Sequence, residues 1–171
     1  MASRNACPFH QLCFFLAVNW QKVNTDPVCF GSRDETFGAF SITKTGQVRT
    51  MKLVHKSGSM HCNEVYGDSY WGCKYDVLSD IKLMTIITNV NKEALQPPTE
   101  DLHGHQNVMK HFYRLEGTGH KSPELVFRNL SSPLSLSRNQ ELQIWYGQDL
   151  ADFSEVNNSG ETCVDVYAWY I

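Results

Sequence analysis

Apolar and polar side chains alternate in short runs along this chain, most clearly in its last third. Leu142, Ile144 and Tyr146 fall on one side of an extended backbone, and Val164, Val166, Ala168 and Tyr170 repeat that period. They predict two strands, Leu142–Tyr146 and Cys163–Ile171, paired as a C-terminal hairpin around a polar loop. Upstream, Phe40 and Ile42 mark a strand over Phe37–Thr43, and Met51 and Leu53 mark one over Val48–His55. A turn at Lys44–Gln47, with Gly46 at its positive-φ position, predicts a hairpin between them. Ile81–Asn89 is apolar on both faces and rich in β-branched residues, as a central strand would be. Shorter strands are predicted at His111–Leu115, Glu124–Arg128 and Leu134–Leu136.

Turn residues separate these runs. Pro97-Pro98, Gly117–His120, Ser131-Ser-Pro133 and Arg138-Asn139 all interrupt pairing. No long segment keeps a 3.6-residue period; Asp149–Val156 could make a single helical turn through Leu150 and Phe153. The pattern predicts an all-β protein, a jelly-roll-like antiparallel β-sandwich of seven or eight strands with its first and last strands adjacent. Residues 1–35 show no sustained period and read as a leader or cysteine-bearing N-terminal tail. Residues 36–171 read as the sandwich domain.

Composition narrows the setting. A chain of 171 residues can bury a real core. Its net charge of −3, with no basic cluster, gives no basis for binding nucleic acid or an anionic membrane. No apolar run is long enough to span a bilayer. The six cysteines contain no Cys-x-x-Cys pair, so their even number and wide spacing point to disulfides and a secreted, extracellular protein. Six cysteines allow 15 pairings. Cys62–Cys73, Cys29–Cys163 and Cys7–Cys13 are preferred, although Cys62 could also reach Cys163. Asn129 and Asn157 begin glycosylation sequons, as expected of a glycoprotein. The apolar run Cys13–Val18 is short for a signal peptide, which leaves removal and retention of the N-terminus both open.

Two loops carry the candidate chemistry. The one after Tyr146 holds Asp149, Asp152, Glu155, Asn157 and Asn158 without a basic residue, and Asp165 follows in the next strand. Calcium takes six to eight oxygen ligands, and Asp149, Asp152, Glu155, Asn158 and Asp165 could supply several. The competing reading is a solvated acidic loop bearing a glycan on Asn157. The second loop, residues 61–80, gathers Asn63, Asp68, Tyr70, Trp71 and Tyr75. Aromatic faces beside amide and carboxylate groups suit a sugar. The alternative is a small core packed over a Cys62–Cys73 bridge. His103 and His105 could share one side of an extended segment, with His111 and His120 following, but metal binding needs a third ligand in fixed geometry. Asp149 and Glu155 could also serve as the acid–base pair of a glycosidase. No nucleophile elbow, P-loop or dinucleotide fingerprint is present.

Three stretches carry a family resemblance. They are Tyr70-Trp-Gly-Cys73, Leu83–Thr88, and Gln140–Leu150 running on to Cys163-Val-Asp-Val-Tyr-Ala168. This set resembles a group of uncharacterised secreted domains of corals, sea anemones and related invertebrates, some of them associated with skeletal or extracellular matrix. The resemblance covers roughly residues 36–171 and implies a secreted β-rich module, with no catalytic residues to carry over. Gln140–Gly147 also resembles the end of PR/SET methyltransferase domains, but the cofactor motif and zinc cysteines of that family are missing. The expected function is therefore a non-catalytic extracellular binding or matrix module. It would take a glycan or matrix-protein ligand, with calcium as a stabiliser and self-association as a further option. The alternatives are a carbohydrate-active hydrolase or a PR/SET-like methyltransferase.

Overall fold

Strands dominate the computed structural model, which describes residues 19–74 and 82–171. In chain order they are β1 (Trp20–Lys22), β2 (Val28–Gly31), β3 (Gly38–Ser41), β4 (Gly46–His61), β5 (Gly72–Cys73) and β6 (Lys82–Leu83). There follow β7 (Thr85–Thr88), β8 (Ala94–Gln96), β9 (Glu124–Val126), β10 (Leu134–Leu136), β11 (Glu141–Tyr146) and β12 (Ser159–Tyr170). One helical turn, α1 (Gly147–Leu150), follows β11.

The pairing forms an antiparallel sandwich, as the alternation predicts. The larger sheet runs β1-β12-β4-β10, with β2 also on β12 and β9 also on β4. The smaller runs β3-β11-β7-β8, and β5 and β6 form a separate two-stranded ribbon. β12 pairs with β4 along its whole length, from Ser159↔His61 to Tyr170↔Val48. Met51, Leu53, Val166 and Ala168 of the larger sheet join Phe40, Ile87, Leu142 and Ile144 of the smaller one in a single buried core. Each fully buried aliphatic chain contributes about 1.5–3 kcal/mol, so the two inner faces hold the sandwich together.

The structure departs from expectation at several points. Both predicted hairpins are crossings between sheets: β3 and β4 lie in opposite sheets, and so do β11 and β12. Alternation shows which face of a strand is apolar, but both inner faces of a sandwich carry that pattern, so the partner is not encoded in it. The expected tail is corrected over its described part. β1 pairs with β12 through Trp20↔Trp169 and Gln21↔Ala168, and β2 pairs with β12 through Cys29↔Cys163. Three- and four-residue strands are too short to show a period. The long central strand is also divided, because Met84 separates β6 from β7. His111–Leu115 forms only isolated bridges, Leu83↔Tyr113 and His103↔Phe112.

Two predicted disulfides are present. Cys29–Cys163 ties β2 to β12, and Cys62–Cys73 closes the loop after β4. Cys7–Cys13 lies outside the described residues. No helix among the described residues is long and apolar enough to cross a membrane.

Candidate functional site

The acidic loop after β11 is built on a glycine. A Cβ at Gly147 would overlap the carbonyl of His111, so only glycine lets α1 start this close to the neighbouring chain. The helical turn therefore covers Gly147–Leu150 and not the later residues that sequence suggested. It buries Asp149, whose Oδ1 accepts the Glu35 backbone N–H at 2.8 Å and whose Oδ2 accepts that of Thr36 at 3.1 Å.

Those bonds fasten the acidic loop to the turn after β2. Asn158 Nδ2 donates to the Ser32 carbonyl at 2.9 Å and to Gln148 Oε1 at 3.1 Å. Ser32 Oγ donates to the Ser159 carbonyl at 3.0 Å. The two loops enclose a concavity of about 340 Å3 lined by Arg33, Asp34, Asp152, Ser154, Glu155 and Val156. Asp34, Glu35, Asp152 and Ser154 all hold positive φ, a costly conformation for residues other than glycine.

Electrostatic strain gathers on Glu155. Its carboxyl is pushed up to about 7, first by burial and then by hydrogen bonding and charge from Asp149, with Asp152 and Asp34 adding repulsion. Glu155 Oε2 and Asn158 Oδ1 are both buried and have no hydrogen-bond partner within the protein. An enclosed acceptor oxygen without a donor is costly, and at Glu155 a proton or a cation relieves that cost.

Of the five predicted calcium ligands, Asp152 and Glu155 line the concavity; Asp149 is turned to the Glu35 and Thr36 N–H groups, Asn158 is held by Ser32 and Gln148, and the three carboxylates do not converge within 4.8 Å of one another. Asp165 is not among them. Lys22 Nζ holds its carboxylate at 2.9 Å and Lys56 Nζ at 3.6 Å, and Asn24 Nδ2 lies at 3.2 Å. Burial alone would raise its pKa, but these partners bring it below the ordinary value. The strand pleat turns Asp165 toward lysines that sequence distance kept out of view. Arg33 and Asp34 were missed because the turn after β2 carries no periodic signal.

The aromatic loop divides between core and surface. Trp71 is fully buried and donates its Nε1–H to the Ser122 carbonyl at 2.7 Å, so its expected place on a ligand face is corrected. Tyr70 is half-buried and stacks on His55 with ring centroids 3.6 Å apart. Asp68 meets His61 Nε2 at 2.6 Å and Lys121 Nζ at 3.4 Å; the Lys121 hydrogen bond leads in lowering its pKa. Asn63 Oδ1 accepts the Val65 N–H at 3.1 Å, a local turn contact. Tyr75 lies outside the described residues.

The histidines make aromatic contacts. His105 lies 5.5 Å from His111 and 5.5 Å from Phe153 between ring centroids, and His103 lies 5.8 Å from Phe112. Burial holds the pKa of His111 below its ordinary value, while Nδ1 contacts the Met109 carbonyl at 2.8 Å. Among the described residues, only the disulfide-bonded Cys29 and Cys163 with Glu161 bring three metal-ligating side chains close together. Both sequon residues, Asn129 and Asn157, are exposed.

Fold and site together define a disulfide-bonded antiparallel β-sandwich with an acidic cup between two fastened loops. A solved structure of the same kind is AJLec from the sea anemone Anthopleura japonica, with a TM-score of 0.78 and 29% sequence identity. The match covers 90% of this chain and 98% of that one. No protein-family model matches the chain, and no curated protein does.

Proposed function

We propose that this chain is a non-catalytic, extracellular carbohydrate-binding module whose acidic cup holds calcium. The observation that carries the reading is its likeness to AJLec, a lectin by its name, across nearly the whole of both chains. The two disulfides suit an oxidising compartment.

The cup's chemistry supports the calcium part. Calcium prefers carboxylate, amide and carbonyl oxygens, and Glu155 Oε2 and Asn158 Oδ1 are enclosed acceptors with no donor. Asp149 and Asp152 supply further carboxylates beside them. A divalent ion would replace the proton that Glu155 otherwise retains near neutral pH. Sugar hydroxyls are themselves oxygen ligands and could complete the coordination. The same geometry argues against a glycosidase. Both oxygens of Asp149 are taken up by the backbone N–H groups of Glu35 and Thr36, which leaves that carboxylate structural and not free to act on a sugar.

A glycan array probed with the oxidised protein, in calcium and again in chelator, tests both parts. Binding that chelator abolishes is the expected result. Binding indifferent to chelator removes the calcium part, and no binding in calcium removes the carbohydrate reading.

A further inference from the structure

A second concavity opens at the edge of the smaller sheet, between the β1–β2 loop and β3. Its volume is about 540 Å3, and Asn24, Thr25, Asp26, Phe37, Ser41 and Thr43 are among its lining residues. That lies within the range of small-ligand sites, roughly 300–1,000 Å3. Phe37 is the exposed ring of this wall. One of its faces stacks on the buried indole of Trp145, with centroids 4.7 Å and planes 28° apart, and the stack still leaves the side chain 38% exposed.

That ring is held in place from both sides. The Thr36 N–H before it is bonded to Asp149 Oδ2 at 3.1 Å. Gly38 after it lies so close to β2 that a Cβ there would stand 2.6 Å from the Cys29 carbonyl oxygen. The indole beneath is fixed as well: Lys92 Nζ sits 4.5 Å from its ring centroid and reaches Glu35 Oε1 at 2.7 Å. An aromatic surface ordered in advance loses little entropy when a ligand arrives.

The polar groups opposite are equally anchored. Asn24 Oδ1 accepts the Val166 N–H at 2.7 Å, and its Nδ2 donates to the Asp26 carbonyl at 2.7 Å, which ties the β1–β2 loop to β12. Asp26 is exposed, and among the described residues its carboxylate meets only the Thr25 hydroxyl, at 3.4 Å. β3 is an edge strand of its sheet. Ile42 uses its N–H and carbonyl on Gln140 and Asn139, at 2.9 and 2.7 Å. Backbone groups alternate sides along a strand, so those of Ser41 face away from β11 on the free edge. The hydroxyls of Ser41 and Thr43 belong to exposed residues beside it.

We infer that this concavity is a subsite for a neutral pyranose. The C–H face of the sugar lies on Phe37, and its hydroxyls bond the Asp26 carboxylate and the free edge of β3. Asp26 is the one charged residue in the lining, which disfavours an anionic ligand. The inference rests on the carbohydrate reading above and adds to it a subsite that needs no calcium.

The test is an NMR titration of the full, oxidised, isotope-labelled chain, in chelator and again in calcium. The probes are the methyl glycosides of glucose, galactose and mannose. One ring and one carboxylate suit roughly millimolar affinity, too weak for a washed array but visible by NMR. At least one probe should shift the amides of Thr25, Asp26, Phe37 and Ser41 to the same extent in both buffers. Phe37→Ala should weaken that binding about tenfold, and Phe37→Trp, which restores a flat ring, should recover it. Asp26→Asn should weaken it about fivefold, the difference between a charged and a neutral acceptor. High salt should leave it unchanged, because the probes carry no charge. Shifts confined to the acidic cup, or Phe37→Ala binding like wild type, overturn the subsite and leave the proposed function standing. No shift with any probe in either buffer also overturns it, and the glycan array then judges the proposed function separately.

Discussion

After burial, Asp149 does most to raise the carboxyl of Glu155, although both belong to a loop without a single basic residue. Burial and the neighbouring carboxylates keep a proton on Glu155 up to about pH 7, above the ordinary value of 4.5. A folded-state pKa above the unfolded one means that this group's stabilisation is complete below about pH 4.5. It is lost as pH rises through about 7. The calcium-free protein should therefore show a melting temperature that falls between those values. Glu155→Gln should flatten that fall, and saturating calcium should reverse it. Calorimetry in chelator at several pH values decides the matter, and an identical slope in wild type and variant would remove Glu155 as its source.

Gly147 permits the close approach of α1 to the chain at His111. In Gly147→Ala the new methyl would sit 2.8 Å from the His111 carbonyl carbon and closer still to its oxygen. Backbone cannot yield there as a side chain would, so a loss of about 3 kcal/mol or more is expected in denaturant unfolding. Gly117→Ala meets no atom within 4 Å and only strains its φ of +76. About 1–2 kcal/mol is expected there. Similar costs at the two positions would refute the packing argument.

Trp71 and Tyr70 are neighbours with different roles. Trp71→Ala should cost about 3–5 kcal/mol, because it leaves a cavity and an unpaired Ser122 carbonyl. Tyr70→Ala removes a half-buried ring stacked on His55 and should cost less. Chemical denaturation of the two variants side by side reads the difference.

The disulfides should also differ in worth. Cys29–Cys163 spans 134 residues of sequence and Cys62–Cys73 spans 11. Loop-closure entropy makes the long link worth about 4–5 kcal/mol and the short one about 3. Paired Cys→Ser variants, unfolded by denaturant under non-reducing conditions, should follow that order.

How much of the cup could be read in advance is clear from individual residues. Asp149, Asp152, Glu155 and Asn158 were visible as a run of oxygen ligands, and Asp152 and Glu155 of that run line the concavity. Asp165 belonged to the same run, but Lys22 and Lys56 hold it elsewhere. Arg33 and Asp34 complete the cup from a turn more than a hundred residues away, which no local pattern reveals. Trp71 could be read either as a sugar-facing aromatic or as part of a small core, because buried and exposed indoles look alike in sequence, and the structure buries it.

The chain's own order of residues determined the all-β class and the inward faces of the main strands. Those properties follow from two-residue periodicity, which acts locally. Only the tertiary structure decided which sheet each strand joins, that Trp20–Gly31 belongs to the larger one, and that Asp26 and Phe37 share one concavity. Those outcomes depend on packing between residues far apart in sequence, where many pairings satisfy the same alternation and only the fully assembled core selects among them.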